Sequence, residues 1–310
     1  MDNADKKKAG RRRFLTRLAW TVGAAAGVYA DARYLEPGWL QVSRHTVYLP
    51  DLPLPLDGMA IVQLSDLHYG PVTPAQTIRD AIALAVREKP HLVVLTGDFV
   101  NRETHEAESL AALLAPLQTV PLGVVACLGN HDCRDKDGIT KALETRAGVV
   151  MLRNASRELA PGLVIAGIED TLRGNPDPGA TFQDVPAGAA CVYLTHNPVG
   201  IFHATARPCL ALSGHTHGGQ VRIPGYAPRR PAGMDGFPLM EGWGTFDRAQ
   251  LYINRGIGMM HQSYRFRCRP EVSVFTLKRG AGLAQTERDL AGRVAGFVER
   301  VGLDLVHRLR

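Results

Sequence analysis

The sequence predicts an α/β protein whose strands carry polar side chains at their carboxyl ends. Five short apolar runs each lead directly into Asp, His or Asn residues. Stretches with helical spacing of apolar residues separate the first three runs, and this alternation is typical of parallel strands joined by helices. Later apolar stretches follow one another without a long helix between them, so we expect a second or a mixed sheet.

The spacing of apolar residues places the predicted elements along the chain. The five runs cover residues 61–64, 91–95, 124–128, 191–194 and 210–212. Helices are expected over residues 74–87 and 106–117, where apolar side chains recur three and four positions apart. Further strands are expected over 162–168 and 271–277, and the short run 45–49 is typical of an edge strand.

Composition and charge indicate a globular chain with a basic amino terminus. Hydrophobic residues make up 45% of the 310 residues, which is enough for a sizeable core. The formal net charge is +6, but residues 1–17 hold seven Lys or Arg against two Asp, so the remainder is nearly neutral. Specific nucleic-acid binding is therefore not expected. The five cysteines lack paired spacing and predict neither a disulfide framework nor a zinc finger.

Residues 1–32 have the composition of an export signal or an anchor. Arginines at positions 11–13 precede Phe14 and Leu15, and a mildly apolar stretch follows at 18–30. This pattern resembles the twin-arginine export motif. The apolar stretch is shorter than the ~20 residues of an ordinary membrane-spanning helix. The segment 30–32 matches a cleavage site poorly, so an uncleaved anchor and a disordered basic tail on a cytoplasmic protein are the alternatives.

The chain is therefore divided into four parts. We predict a leader at 1–32, a segment at 33–57 that wraps the domain, a main domain at 58–280, and an amphipathic helix at 281–310. Packing on its own domain and association with a membrane surface are both open for the last helix. The Gly- and Pro-rich stretch 224–243 is predicted to be either a loop at the mouth of the site or a solvated excursion.

Polar residues after the five apolar runs form an ordered set of short motifs. In chain order they are Asp66-x-His68, Gly97-Asp98, Gly129-Asn130-His131-Asp132, His196 and Gly214-His215-Thr216-His217. A lone Gly-Asp or a lone His after a strand is most often a turn or a structural residue. The whole set is improbable by accident, and its oxygen and nitrogen donors suit two divalent cations.

These motifs resemble those of the calcineurin-like metallophosphoesterases, over about residues 58–278. Further features are similar to twin-arginine-exported bacterial cell-envelope phosphoesterases: the leader, Ser65-Asp66-Leu67-His68, Gly218-Gly219-Gln220, and Asn254-Arg255-Gly256-Ile257-Gly258 before Arg269-Pro270-Glu271. The resemblance implies an α/β/β/α sandwich, in which two packed mixed β-sheets are flanked by helices.

The resemblance also implies a ligand set for two divalent metal ions. The ligands implied for the first ion are Asp66, His68 and His217. Those implied for the second ion are Asn130, His196 and His215. Asp98 would bridge the two ions. Mn, Fe and Zn all suit mixed nitrogen and oxygen ligands, so the donor set leaves the metal open. The glycine before Asp98, Asn130 and His215 would allow the backbone to turn sharply.

The family's chemistry implies hydrolysis without a phosphoenzyme, in which a metal-bridging hydroxide attacks phosphorus in line with the leaving oxygen. His131 would lie beside the leaving group as a general acid or electrostatic stabiliser, and Asp132 would fix its orientation. Support of the metal ligands from behind is the alternative role for His131. The remaining histidines are expected to be exposed or structural: His45, His91, His105, His203, His261 and His307.

We therefore expect an exported, dinuclear phosphoesterase of the periplasm or cell envelope. Its substrate would be a small-molecule or lipid-linked phosphomonoester, phosphodiester or pyrophosphate, with a UDP-sugar-lipid pyrophosphate as one alternative. The expected partners are the twin-arginine export machinery and a membrane surface. A non-catalytic metal-binding scaffold is the alternative of another class, but such a scaffold is expected to lack one or more ligands, and every position is filled here.

Overall fold

The computed structural model describes residues 3–101, 104–228 and 230–281, which form two packed six-stranded sheets with helices outside. The helices are α1 (Asn3–Ala30), α2 (Ala75–Arg87), α3 (His105–Leu114), α4 (Lys136–Ala147) and α5 (Pro178–Phe182). The strands are β1 (Gln41–Leu49), β2 (Ala60–Leu64), β3 (Leu92–Thr96), β4 (Val124–Cys127), β5 (Val149–Met151), β6 (Ala155–Ala160), β7 (Leu163–Gly167), β8 (Ala190–Leu194), β9 (Cys209–Ser213), β10 (Gly242–Phe246), β11 (Ala249–Ile253) and β12 (Glu271–Arg279). The predicted helix at 281–310 lies outside the described residues, apart from Ala281.

The first sheet has the strand order β1-β12-β2-β3-β4-β5. Strands β2 to β5 run parallel, as predicted for the early strands, whereas β12 is antiparallel to β2. The predicted edge strand is β1, which pairs with β12 over nine residues. The segment expected to wrap the domain thus supplies a strand of the first sheet.

The second sheet has the order β10-β11-β9-β8-β7-β6. Its four inner strands run parallel, and an antiparallel partner lies at each edge. Both sheets are therefore mixed, and the sandwich prediction is confirmed.

Neighbouring residues on one strand supply different hydrophobic clusters, because side chains alternate across a sheet. On β2, Ile61 faces the second sheet while Val62 packs with the helices α2, α3 and α4. On β8, Val192 faces the first sheet, and Tyr193 lies on the outer side with Phe237 and Phe246. Burial of both faces explains why these strands are continuous apolar runs without polar alternation.

The predicted helix at 74–87 is confirmed as α2, and the one at 106–117 is shorter. Helix α3 ends at Leu114 and a 3₁₀ turn containing Pro116 follows, because proline has no N–H to continue the helical hydrogen bonds. Helix α4 was not predicted, although its start and end are readable. Asp135 caps its first turn through the Gly138 N–H, and Gly148 ends it in a left-handed conformation.

Helix α1 extends from the domain with its described residues from Gly10 to Ala30 exposed. Several large apolar side chains on it are open to solvent, including Phe14 and Trp20, the latter 77% exposed. No helix within the described part of the chain is both long and apolar enough to cross a membrane.

Candidate metal centre

All nine predicted site residues follow strands that end at one edge of the sandwich. Strands β2, β3 and β4 of the first sheet supply Asp66, His68, Asp98, Asn130, His131 and Asp132, and strands β8 and β9 of the second sheet supply His196, His215 and His217. Their carboxyl ends meet because both sheets have parallel inner strands. A buried amide fastens the sheets together there, since Gln63 Nε2 lies 2.9 Å from both Ser213 O and Thr96 Oγ1.

The first predicted ligand group converges, and its three side chains are buried. His68 Nε2 and His217 Nε2 are 3.1 Å apart, and His217 Nε2 is 3.4 Å from Asp66 Oδ1. All three side chains have ligand atoms close enough to share one ion. The chain thus joins residues that are about 150 positions apart into one group of nitrogen and oxygen donors.

The second predicted group lies beside the first. His196 Nε2 is 3.2 Å from Asn130 Oδ1, and the ligand atoms of His196, His215 and Asp98 lie together. His215 Nε2 is 3.0 Å from the Ala232 carbonyl oxygen, which only accepts, so this nitrogen donates and Nδ1 remains free for an ion.

Asp98 touches both groups through a single oxygen. Its Oδ2 lies 3.3 Å from His68 Nε2 and 3.2 Å from His196 Nε2. Its other oxygen, Oδ1, accepts a hydrogen bond from the His131 N–H at 2.8 Å. The carboxylate is therefore held with one oxygen toward the space between the two histidine groups, which is the placement expected of a bridging ligand.

The donor set fits a cation because lone pairs face one another. His196 Nδ1 donates to Thr96 O at 2.7 Å, which leaves Nε2 as the lone-pair nitrogen opposite Asp98 Oδ2 and Asn130 Oδ1. Burial acts to lower the pKa of His196, but Asp98 and Asp66 raise it well above its ordinary value. The site therefore demands positive charge at Nε2, which either a proton or a metal ion supplies.

His215 and His217 favour the neutral form that metal binding requires. Burial and the neighbouring His196 lower the pKa of His215 to about 4, and burial with His68 lowers the pKa of His217 well below its ordinary value. Burial acts to raise the pKa of Asp98, yet His196 and His68 hold it well below its usual range. Asp98 thus stays a carboxylate, and the imidazoles of His215 and His217 are available as ligands.

Five of the seven predicted ligands occupy the left-handed backbone region. They are Asp66, His68, Asp98, His215 and His217, with φ between 41° and 70°. Each such position costs about 1–3 kcal/mol for a residue with a side chain, so the surrounding structure must enforce it. This concentration of strain at one edge of the sandwich is typical of a functional site.

The glycines before the ligands act in two ways. Gly97 has a φ of 82°, as the predicted sharp turn requires. Gly129 and Gly214 are needed for close approach instead, because a Cβ would lie 2.2 Å from Asp98 Oδ1 and 1.9 Å from Ser65 Oγ, respectively. The prediction of a sharp turn is therefore right for Gly97, and the other two glycines make room for neighbouring side chains.

The expectation that Asp132 orients the His131 ring is wrong. Both Asp132 oxygens accept main-chain N–H groups, from Asp98 at 2.8 Å, Phe99 at 2.9 Å and Gly129 at 2.8 Å. The His131 ring instead donates from Nδ1 to the Asn101 carbonyl oxygen at 3.0 Å. Asp132 thereby links the loop after β3 to the loop after β4, because its carboxylate accepts main-chain N–H groups from both loops.

The Gly- and Pro-rich stretch lies against the site, as one of its two readings predicted. Ala232 provides the carbonyl oxygen that fixes His215, and the Thr216 hydroxyl donates to Met240 O at 2.6 Å. The loop therefore holds the β9 ligands from outside.

Of the remaining histidines that the structure describes, none belongs to a ligand group. His45, for example, packs among Trp243, Tyr252 and Phe275. His307 lies outside the described residues.

Asp170 is a buried carboxylate at the same edge that sequence analysis missed. Its Oδ1 accepts N–H groups of Leu172 and Arg173 at 3.0 and 2.8 Å, while Oδ2 is buried without a partner among the described residues. Burial raises the pKa of Asp170, although His196 opposes the shift. The signal was present, because the run at 162–168 also ends in acidic residues, as the other runs end in ligands.

Comparisons with known proteins agree with this geometry. The family model for calcineurin-like phosphoesterases matches residues 59–219. Uncharacterized metallophosphoesterase YkuE of Bacillus subtilis (strain 168) is 34% identical, over 88% of this chain and 99% of its own. Phosphodiesterase YaeI of Escherichia coli (strain K12) is 32% identical, over 86% of this chain and 98% of its own length. UDP-2,3-diacylglucosamine pyrophosphatase LpxG of Chlamydia trachomatis serovar D is 29% identical, over 82% of this chain and 94% of its own length.

The family match covers more than half of the chain and includes every predicted site residue. Relatives align over nearly their whole length, so the likeness extends beyond the ligand motifs to the entire domain. The chain therefore belongs to the calcineurin-like phosphoesterase family and is a metallophosphoesterase, a hydrolase of phosphate esters.

Proposed function

We propose that this protein binds two divalent metal ions and hydrolyses a phosphomonoester, phosphodiester or pyrophosphate at the cell envelope. The observation that carries the proposal is the position of Asp98, whose Oδ2 lies within 3.3 Å of one histidine from each ligand group. One carboxylate oxygen between two sets of imidazole and oxygen donors is suited to a paired metal site.

Seven side chains hold the two ions in this proposal. Those of the first ion are Asp66, His68 and His217. Those of the second ion are Asn130, His196 and His215. Asp98 is shared by both. Mn, Fe and Zn are all compatible with this mixture of imidazole, amide and carboxylate donors. Two such ions supply Lewis acidity, which neutralises phosphate oxygens and makes water more acidic.

His131 is the acid or electrostatic stabiliser for the leaving oxygen. Because Nδ1 is bonded to Asn101 O, the free nitrogen of the ring is Nε2, and the ring packs edge-on against His68 with centroids 4.8 Å apart. Burial lowers the pKa of His131 despite the nearby Asp98. The protonated ring is then a stronger acid toward a leaving oxygen, although fewer molecules carry that proton at neutral pH.

A lipid- or nucleotide-linked pyrophosphate is the second candidate substrate. Two observations favour it: the relative named UDP-2,3-diacylglucosamine pyrophosphatase, and the exposed apolar side chains of α1. Residues 1–32 serve in this proposal as a twin-arginine export signal or anchor, so that the export machinery and a membrane surface are partners. A soluble nucleotide or cell-wall phosphodiester is the contrasting case.

A hydrolysis screen tests the proposal. Protein reconstituted with Mn²⁺, Fe²⁺ or Zn²⁺ is assayed against nitrophenyl monoesters and diesters, nucleotide-sugar lipids and polyprenyl pyrophosphates, with metal content measured in parallel. We expect about two ions per chain and hydrolysis that depends on them. Full metal occupancy without hydrolysis of any substrate would favour the non-catalytic scaffold.

A further inference from the structure

The loop at 254–258 holds Asp66 in its strained conformation. Gly258 donates its N–H to Asp66 O at 2.7 Å, and Ile257 donates to Ser65 O at 2.9 Å. The contact is so close that a Cβ on Gly256 would lie 2.7 Å from the Asp66 Cβ. The backbone of this loop therefore presses directly on a predicted ligand whose φ is 50°.

Arg265 fastens that loop from behind. Its side chain is fully buried, and its guanidinium donates to the carbonyl oxygens of Arg255 at 3.0 Å, Gly256 at 3.0 Å and Gly258 at 2.6 Å. A fourth bond reaches Cys268 O at 3.1 Å. A buried cation is costly unless it is well bonded, and here a single planar group satisfies the carbonyls of a tight loop.

Glu36 places negative charge in the same buried region. It is 5% exposed, and its carboxylate accepts the N–H of Arg267 at 2.7 Å and the N–H of Cys268. Arg265 in turn donates its own N–H to Ala32 O at 2.9 Å. The turn that follows α1 is thus hydrogen-bonded to the segment 265–268.

The segment 265–268 also touches the second strained part of the first ligand group. The Cys268 thiol donates toward His217 O at 3.2 Å and lies 3.5 Å from Gly218 O. His217 has a φ of 50°. A single segment therefore supports both the loop on Asp66 and the turn that contains His217.

We propose that Arg265 and Glu36 are positioning residues for the ion held by Asp66, His68 and His217. Arg265 sets the loop that fixes Asp66, and Glu36 sets the segment that carries Arg265. The turn after α1 is thereby a structural part of the metal centre. This inference rests on the proposed function for the identity of the ligands, and metal affinity measures it independently of hydrolysis.

The test compares Glu36→Gln and Arg265→Lys with matched controls. The first substitution keeps one acceptor oxygen but turns an amide toward the second N–H, and in the second a lysine cannot reach four carbonyls. Glu88→Gln, which breaks the surface ion pair with Arg44, is the control for the glutamate. Arg146→Lys is the matched control for the arginine, because Arg146 forms a surface ion pair with Glu108 and bonds no carbonyl of the loop.

Mn²⁺ affinity, the Co²⁺ absorption spectrum and thermal unfolding are measured for each full-length variant. We expect Arg265→Lys to weaken Mn²⁺ binding about 10–100-fold and Glu36→Gln about tenfold, with an altered Co²⁺ spectrum and both controls unchanged. If both variants lose thermal stability yet keep wild-type affinity and spectrum, the positioning role is overturned. Should Arg265→Lys fail to fold, Glu36→Gln decides alone.

Failure of this inference is distinguishable from failure of the proposed function. Wild-type protein that binds none of Mn²⁺, Fe²⁺ and Zn²⁺ contradicts both. Wild-type protein that binds Mn²⁺ without hydrolysing any ester contradicts only the catalytic proposal, and the variants then still report on positioning through affinity and spectrum.

Discussion

The two ligand groups differ in how the chain orients their histidine rings. His196 and His215 each donate from one ring nitrogen to a main-chain carbonyl, at 2.7 and 3.0 Å. His68 and His217 have buried Nδ1 atoms without a partner in the described part of the chain, and their Nε2 atoms face each other. Carbonyl bonds orient the first pair before any ion arrives, whereas strained backbone and packing orient the second.

This difference indicates that the group of Asp66, His68 and His217 depends more on its cation. Two facing imidazole nitrogens satisfy each other only when a proton or an ion lies between them. The other group keeps its ring geometry through Thr96 and Ala232 in either state. Metal removal should therefore loosen the group of Asp66, His68 and His217 more than the group that contains His196 and His215.

The largest effect is expected from Asp98→Asn, which removes the feature common to both groups. The amide keeps the shape and the oxygen that accepts the His131 N–H, but it lacks the negative charge that the proposed pair of ions would require. Metal content should fall and hydrolysis should drop to the level of metal-free protein. Plasma emission spectroscopy and a diester assay measure these. Asp57→Asn, at a surface pair with Lys278, is the control. Two bound metals in Asp98→Asn would show that the bridge is misassigned.

A smaller effect is expected from His131→Ala, which leaves both groups intact. Its ring lies near His68 and Asp98 but is hydrogen-bonded to Asn101 O and belongs to neither predicted ligand group, so metal content should remain at the wild-type level. Loss of an acid or stabiliser at the leaving oxygen should lower kcat about 10²–10⁴-fold. His203→Ala provides a matched control beyond the His196 turn. Unchanged kcat would remove His131 from the mechanism, and lost metal would favour its alternative role as support.

The smallest effect is expected from chelation of the wild-type protein, which tests the difference between the two ligand groups most directly. Removing metal present at 100 times its Kd costs about 2.7 kcal/mol of stability. Amide hydrogen exchange should rise more over residues 65–68 and 217–220 than over 194–198, because the His196 ring keeps its carbonyl partner whereas the Nδ1 atoms of His68 and His217 have none in the described part of the chain. Asp98→Asn protein treated with the same chelator is the control. Equal increases on both sides would contradict the comparison.

Much of the fold was predictable from local sequence. The strands β2, β3, β4, β8 and β9 are continuous apolar runs because both of their faces are buried, and such runs are conspicuous. Strands β6 and β10 were missed because they lie at edges, where side chains are partly exposed and apolar runs are absent. The short strand β5 and the buried strand β11 were missed although both are mainly apolar. Helix α4 was missed although its caps were readable.

The residues of the candidate site that follow strands were predictable from the sequence. The roles of side chains that hydrogen-bond to main-chain groups were not. The family resemblance implied that Asp132 orients His131, yet its carboxylate accepts N–H groups of Asp98 and Phe99. Glu36 and Arg265 have no motif around them. The Glu36 carboxylate accepts a main-chain N–H that lies 231 positions away, and the Arg265 guanidinium donates to main-chain carbonyls up to ten positions away. No side-chain pattern in the sequence indicates such contacts.

The sequence by itself determined the family, the layered α/β architecture and the set of donors, because these depend on residue type and on order along the chain. The tertiary structure decided which oxygen of Asp98 reaches both groups, which histidine nitrogens remain free, and what holds Asp66 and His217 in left-handed backbone. The physical reason is that these features depend on distances and directions between segments far apart in sequence, and only the packing of the two sheets sets them.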